Sequence, residues 1–144
     1  SGSGAGEKFT VNFPMPPTTG DEGFNTVMDE CIVPLLDRFT PEMVLVSYGF
    51  DTHWRDPLGN LLLSADGYGS LIRSLTSWAE DHCGGRIMLV LEGGYDLQAA
   101  AACGLSVTSA LLGEEWEDTL GPAPFPEGDA WRTTLAQVKT IWAL

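Results

Sequence analysis

A chain of 144 residues, 44% of them hydrophobic and 19% charged, is long enough for one domain with a real core and not clearly long enough for two. Its formal net charge of −13 argues strongly against nucleic acid as a direct partner, because phosphate backbones need Lys and Arg to neutralise them. No apolar run approaches the ~20 residues of a membrane span, and no basic-plus-apolar leader opens the chain, so the sequence reads as soluble and cytoplasmic, with no membrane partner. The acidity would suit a cationic substrate such as lysine-rich protein or polyamine, but it reads first as a charge that serves solubility. Cys31, Cys83 and Cys103 are an odd set without C-x-x-C spacing, which reads as reduced structural thiols and neither a zinc knuckle nor a disulfide frame.

In chain order, residues 1–8 open with Ser-Gly-Ser-Gly-Ala-Gly and read as a flexible linker or a truncated start. Phe9 to Phe13 alternates apolar and polar, predicting a short strand stopped by Pro14, Pro16 and Pro17. Asp21 is placed as an N-cap. Phe24, Val27, Met28, Cys31, Ile32, Leu35, Leu36 and Phe39 then follow helical spacing, with a kink expected at Pro34. Met43 to Ser47 is an apolar run of the kind buried on both sheet faces. After Ser64, Tyr68, Leu71, Ile72, Leu75, Trp78 and Ala79 share a helix face that Gly84-Gly85 ends. Arg86 to Leu91 is a second buried strand, and an Ala-rich helix runs from Leu97 to Leu112 with Gly113 as its cap. An acidic stretch and a Pro/Gly loop lead to a last helix starting at Asp129, with Trp131, Leu135, Val138 and Trp142 on one stripe. Helical crossovers between apolar strands predict an α/β fold, a parallel sheet with helices on both faces in three α/β/α layers.

Ligands of parallel sheets gather beyond the carboxyl ends of the strands. Two segments fall there, Gly49 to Gly59 and Glu92 to Asp96. Asp51 and His53 form a D-x-H pair that points two potential metal ligands the same way, although two are too few for a catalytic zinc. The alternative is that Asp51 caps a loop and His53 lies at the surface. Gly93-Gly94-Tyr95 could cradle a phosphate, could let backbone pass close to a substrate with the Tyr hydroxyl in the site, or could be a tight turn needing positive φ.

Taken together, the motifs resemble the histone-deacetylase family. Val44-Leu45-Val46-Ser47-Tyr48-Gly49-Phe50-Asp51, followed by Arg55-Asp56-Pro57-Leu58-Gly59, is similar to the family pattern LVSAGFDAHxxDPLG, with His53 to Leu58 closest to its bacterial branch. Met88 to Leu97 resembles LVLEGGYNL, and Val11 to Glu22 resembles NVPLPxGxGDExY. The three motifs are collinear over nearly the whole chain. The resemblance implies the arginase/deacetylase fold, with residues 9–144 as the C-terminal part of the domain, and it implies Zn²⁺ as cofactor. Asp51 matches a zinc ligand. Tyr95 matches the hydroxyl donor to the scissile carbonyl, a role that is physically an oxyanion-hole donor. Leu58 matches the rim of an acyl-lysine tunnel, and Gly93 and Gly94 match glycines that keep its wall thin. His53 and Asp56 match positions that order the loop, which makes His53 a supporting residue and not a ligand. Tyr48 departs from the small residue usual at its position.

The family's remaining zinc ligands, a D-x-H pair, and its tandem-histidine acid/base precede the matched region, and His53 and His82, the chain's two histidines, sit in no such motif. The reading is therefore the C-terminal portion of a deacetylase acting on acetylated lysine or polyamine, incomplete without an N-terminal portion or a homo-oligomer partner. The alternative is an inactive truncated module that folds by pairing with another chain. In the family's eight-stranded sheet the strand near Phe9 would lie at an edge, two strands away from the other pair.

Overall fold

The computed structural model describes residues 2–144; Ser1, the first residue of the expected linker, lies outside the described residues. Gly4–Gly6 forms a 3₁₀ turn within that segment. The sheet consists of β1 (Val44–Tyr48) and β2 (Ile87–Leu91), paired in parallel from Val44↔Ile87 to Tyr48↔Leu91. Both fall within a residue of the expected strands. The expected strand at Phe9–Phe13 does not form: those residues lie in no regular element, and β1 and β2 are the strands of the one sheet among the described residues. Alternation alone does not make a strand, because a ladder needs a partner with free N–H and C=O groups.

The first helical stretch runs as α1 (Asp21–Val27), a π turn at Met28–Ile32, and α2 (Val33–Phe39). The widened turn sits just before Pro34, where the missing N–H and the ring's clash with the carbonyl four residues back disfavour ordinary α-helical bonding. Asp21 is not the N-cap; Gly20 is. The first free amides, of Glu22 and Gly23, donate instead to the Glu127 carboxylate at 2.9 and 2.8 Å. Asp21 turns away and accepts from the amide and hydroxyl of Ser64, at 2.8 and 2.6 Å. Ser64 in turn caps α3 (Ala65–Cys83) by accepting from Gly67 N, and Gly84 ends that helix in the left-handed region at φ 63°. α4 (Leu97–Leu112) is capped by Asp96 and ends at left-handed Gly113, and α5 (Trp131–Trp142) starts two residues later than the expected Asp129.

Val46, Tyr48, Ile87 and Leu89 point to one side of the sheet and pack on Tyr68, Ile72 and Leu75 of α3 and Ala102, Cys103 and Val107 of α4. Val44 joins Trp78, Ala79 and Cys83 on the same side, and α5 docks Trp131 and Leu135 on Val27 and Cys31. The three cysteines are buried and free. Leu45, Met88 and Val90 point the other way and are 69%, 52% and 48% exposed. The two-sided burial expected of these strands is therefore absent from this chain: its helices cover one face, and no helix among the described residues covers the other. No helix among them is long and apolar enough to cross a membrane.

Candidate active site

The two loops that leave the strands are stitched together by an extension of the parallel ladder. Glu92 N donates to Tyr48 O at 2.7 Å and Phe50 N donates to Gly93 O at 2.9 Å. A 3₁₀ turn at Phe50–Thr52 follows β1 directly and carries Asp51. Asp51 and the Gly93-Gly94-Tyr95 turn are thereby brought side by side, although 42 positions separate Asp51 from Gly93 in the sequence.

The half-buried Asp51 carboxylate sits in a cradle made by glycine. A Cβ on Gly93 would lie 2.5 Å from Asp51 Oδ2, and one on Gly49 would lie 2.7 Å from Oδ1, closer than atoms approach without displacement. Gly94 is constrained differently: its φ of 128° belongs to glycine, and a Cβ there would meet Phe50 Cβ at 2.8 Å. None of the ion pairs among the described residues uses Asp51.

Asp56 holds the surrounding loops. Buried at 6% exposure, it accepts Leu58 N (2.9 Å) and Gly59 N (3.2 Å) at Oδ1 and Tyr95 N (2.7 Å) at Oδ2. One carboxylate thus fixes the backbone of both Leu58 and Tyr95. Burial alone would push its pKa up, but the amides of Tyr95, Leu58, Gly59 and Asp96 outweigh that and hold it below the ordinary carboxylate range. Arg55 adds a second link, 3.5 Å from Asp96 Oδ2 and donating to Gln98 Oε1 at 3.0 Å. Asp96 is also held below its ordinary pKa, first by the Ala99 amide it caps and then, against a smaller effect of burial, by Arg55. The side chains of Leu58 and Tyr95, 73% and 57% exposed, stand on this surface.

His53 is almost wholly buried, stacks on Trp54, and accepts Arg55 N at Nδ1 over 3.1 Å, so this nitrogen is committed to the loop. Its Nε2 is buried without a partner. Burial lowers the imidazole pKa against the opposing pull of Asp118 and Asp96. Among the described residues, no three of His, Cys, Asp or Glu converge into a metal-binding group. The Asp51 carboxylate is an anionic oxygen donor of the kind a metal takes, and one such ligand by itself is too few for a zinc. A cleft of about 610 Å³ between Phe9, Leu35, Phe39 and Trp142 is lined by none of these residues.

Sequence reading gave no role in the site to three contributors. Arg55 and Gln98 join the loops, and no spacing announces such a pair. Tyr68, read only as an apolar-face residue, donates its hydroxyl to Gly49 O at 2.8 Å and is also bonded to the Thr52 hydroxyl. A tyrosine on a buried face has to find a partner for its O–H, and that requirement was the available signal.

The model of the histone deacetylase domain matches residues 1–111. The chain belongs to the histone deacetylase family. A probable deacetylase of Archaeoglobus fulgidus is 40% identical over 132 residues, covering 91% of this chain and 37% of that protein. A histone deacetylase-like amidohydrolase of Pseudomonas aeruginosa is 35% identical over 112 residues, covering 78% of this chain and 30% of its own length. The crystal structure of the HDA15 HD domain superposes with a TM-score of 0.81 at 31% identity, over 97% of this chain and 36% of that one. The arginase/deacetylase fold, an α/β fold on a parallel sheet, is therefore the fold to which this chain belongs, and the chain itself carries helices on one face of that sheet. It spans about a third of the length of these relatives. Histone deacetylases are generally zinc-dependent.

Proposed function

We propose that this chain furnishes part of the active site of a zinc-dependent deacetylase that hydrolyses N-acetyl amides of lysine or polyamines, and that polypeptide outside the chain completes it. The observation that supports this reading best is the unpaired Asp51 carboxylate in its glycine cradle, with the Tyr95 backbone fixed alongside it.

In this reading Asp51 is a metal ligand, and zinc held there would supply Lewis-acid polarisation of the amide carbonyl and an activated water. Tyr95 donates its hydroxyl to the carbonyl oxygen as negative charge builds on it, from a backbone that Asp56 holds before substrate arrives. Gly93 and Gly94 keep the wall beside the acyl chain thin by letting their backbone pack directly on Asp51 and Phe50, and Leu58 forms an apolar rim. His53 and Asp56 order the loop. The general acid/base and the remaining metal ligands belong to the completing polypeptide, most simply an N-terminal portion of the same domain. The net charge of −13, which serves solubility first, would also suit a cationic carrier of the acetyl group.

The test is Tyr95→Phe in the completed enzyme. The ring stays and only the donor goes, so kcat should fall by ~10²–10³ while the fold is unaffected. Retention of more than about a tenth of the activity at saturating substrate would remove Tyr95 from the mechanism. A second reading, a non-catalytic module that pairs with another chain, draws on the uncovered apolar face at Leu45, Met88 and Val90. Acetate release that never appears on completion, with a stable complex formed, would favour it.

A further inference from the structure

The direction of the Asp51 carboxylate is not set by its own turn. A three-residue 3₁₀ turn has poor hydrogen-bond geometry, and here a single bond closes it, His53 N to Phe50 O at 3.1 Å. From outside, backbone bonds hold its two ends, Phe50 N to Gly93 O at 2.9 Å and Leu63 N to Thr52 O at 3.2 Å, and the Tyr68 side chain brackets it. Tyr68 touches the chain on both sides of Asp51 without touching the carboxylate. Its hydroxyl donates to Gly49 O at 2.8 Å, two residues before, and accepts from the Thr52 hydroxyl, one residue after. Its ring meets the ring of Phe50, the intervening neighbour, edge to face at 5.3 Å. The support itself is rigid, because Tyr68 is 6% exposed and stands near the capped start of the 19-residue α3.

We infer that Tyr68 is the positioning residue of the metal site: its hydroxyl clamps Gly49 and Thr52 and thereby fixes where Asp51 aims. The inference rests on the proposed role of Asp51 as a ligand. Residues that orient metal ligands commonly alter affinity by about 10–100-fold when changed, although they never contact the metal. Tyr68→Phe keeps the ring and its packing on Phe50, and removes only the clamp.

Two measurements test it. In the 144-residue chain, amide exchange at Phe50 and His53 should accelerate by roughly two- to tenfold in Tyr68→Phe, while the core amides of α3 and α4 keep their rates. In the completed enzyme, zinc affinity by chelator competition should fall about 10–100-fold, with activity restored by excess zinc. A residue that merely stabilised the fold would speed exchange everywhere and would not be rescued by metal. If Tyr68→Phe does not fold, Thr52→Val removes the other half of the clamp while leaving α3 intact, and the same two changes are expected. Unchanged exchange at Phe50 and His53, or unchanged zinc affinity beside an Asp51→Asn control that loses zinc, overturns the inference. If Asp51→Asn itself leaves zinc affinity unchanged, the ligand reading fails instead, and the exchange data still decide whether Tyr68 holds the turn.

Discussion

The two faces of the β1–β2 sheet are built from the same kinds of residue and meet opposite fates. On one, Val46, Tyr48, Ile87 and Leu89 pack against α3 and α4. On the other, Leu45, Met88 and Val90 stand 69%, 52% and 48% exposed. Side-chain alternation assigns residues to faces, but only the rest of the fold determines what covers each one. The apolar run in β1 is composed for two-sided burial, and this chain supplies one side. A row of exposed aliphatic side chains on a two-stranded sheet with open edges is a surface that seeks a partner. The site loops lie at the carboxyl end of that same sheet.

The largest effect should come from the covered face. Ile72 is 4% exposed in the cluster of α3, α4 and the sheet. Ile72→Ala should cost about 2–5 kcal/mol, through lost transfer energy and the cavity left behind. Urea denaturation of the chain measures it. A cost below about 1 kcal/mol would mean that this face is loosely packed and the contrast between the faces overstated.

A smaller effect is expected at the hinge between the loops. Asp56→Asn places an NH₂ group where one of three backbone donors pointed, leaving at least one buried N–H unpaired at about 1–3 kcal/mol. Acid should act in the same direction. The folded pKa of Asp56 lies below its unfolded value of about 3.9, so the stabilisation is fully present above that pH. It is lost as pH falls through the folded value. Amide exchange at Tyr95 and Leu58 should therefore be insensitive to this group between about pH 7 and 5 and should accelerate in stronger acid, and Asp56→Asn should remove that acid response. Acceleration already complete by about pH 5 would show that a different group holds the loops.

Local signals in the sequence carried much of the fold. Gly84 and Gly113 marked the ends of α3 and α4 because such caps act through neighbouring backbone, and the helices start where expected, after Ser64 and Asp96, which the structure shows as their N-caps. What failed depended on distant residues. Asp21 lost the cap to Glu127, more than a hundred positions downstream, and the Phe9–Phe13 strand lacked a partner that alternation cannot supply. The site divides in the same way. Asp51, Gly93 and Tyr95 stood out because they follow the two strands and because the family resemblance matches them; that Gly93 lies against the Asp51 carboxylate emerged only from the structure. Tyr68 was hidden in an apolar helix face, where only its hydroxyl set it apart from Leu71 or Ile72.

The smallest effect, and the one that discriminates most between the faces, belongs to Leu45. At 69% exposure it contributes little to the chain alone, so Leu45→Ser should shift stability at low micromolar concentration by no more than about 0.5 kcal/mol. Its neighbour Val46, one residue along and on the covered face, should not tolerate the same change so lightly. Association should respond where folding does not: with a polar side chain amid Met88 and Val90, light scattering at high concentration should show fewer large species than the unaltered chain. Where the proposed completing polypeptide covers this face, the same substitution becomes costly, because Leu45 then loses a buried contact in place of an exposed one. A loss of about 2 kcal/mol or more already in the isolated chain would mean that the open face is covered there by a second copy. The two faces would then differ only in which chain covers them.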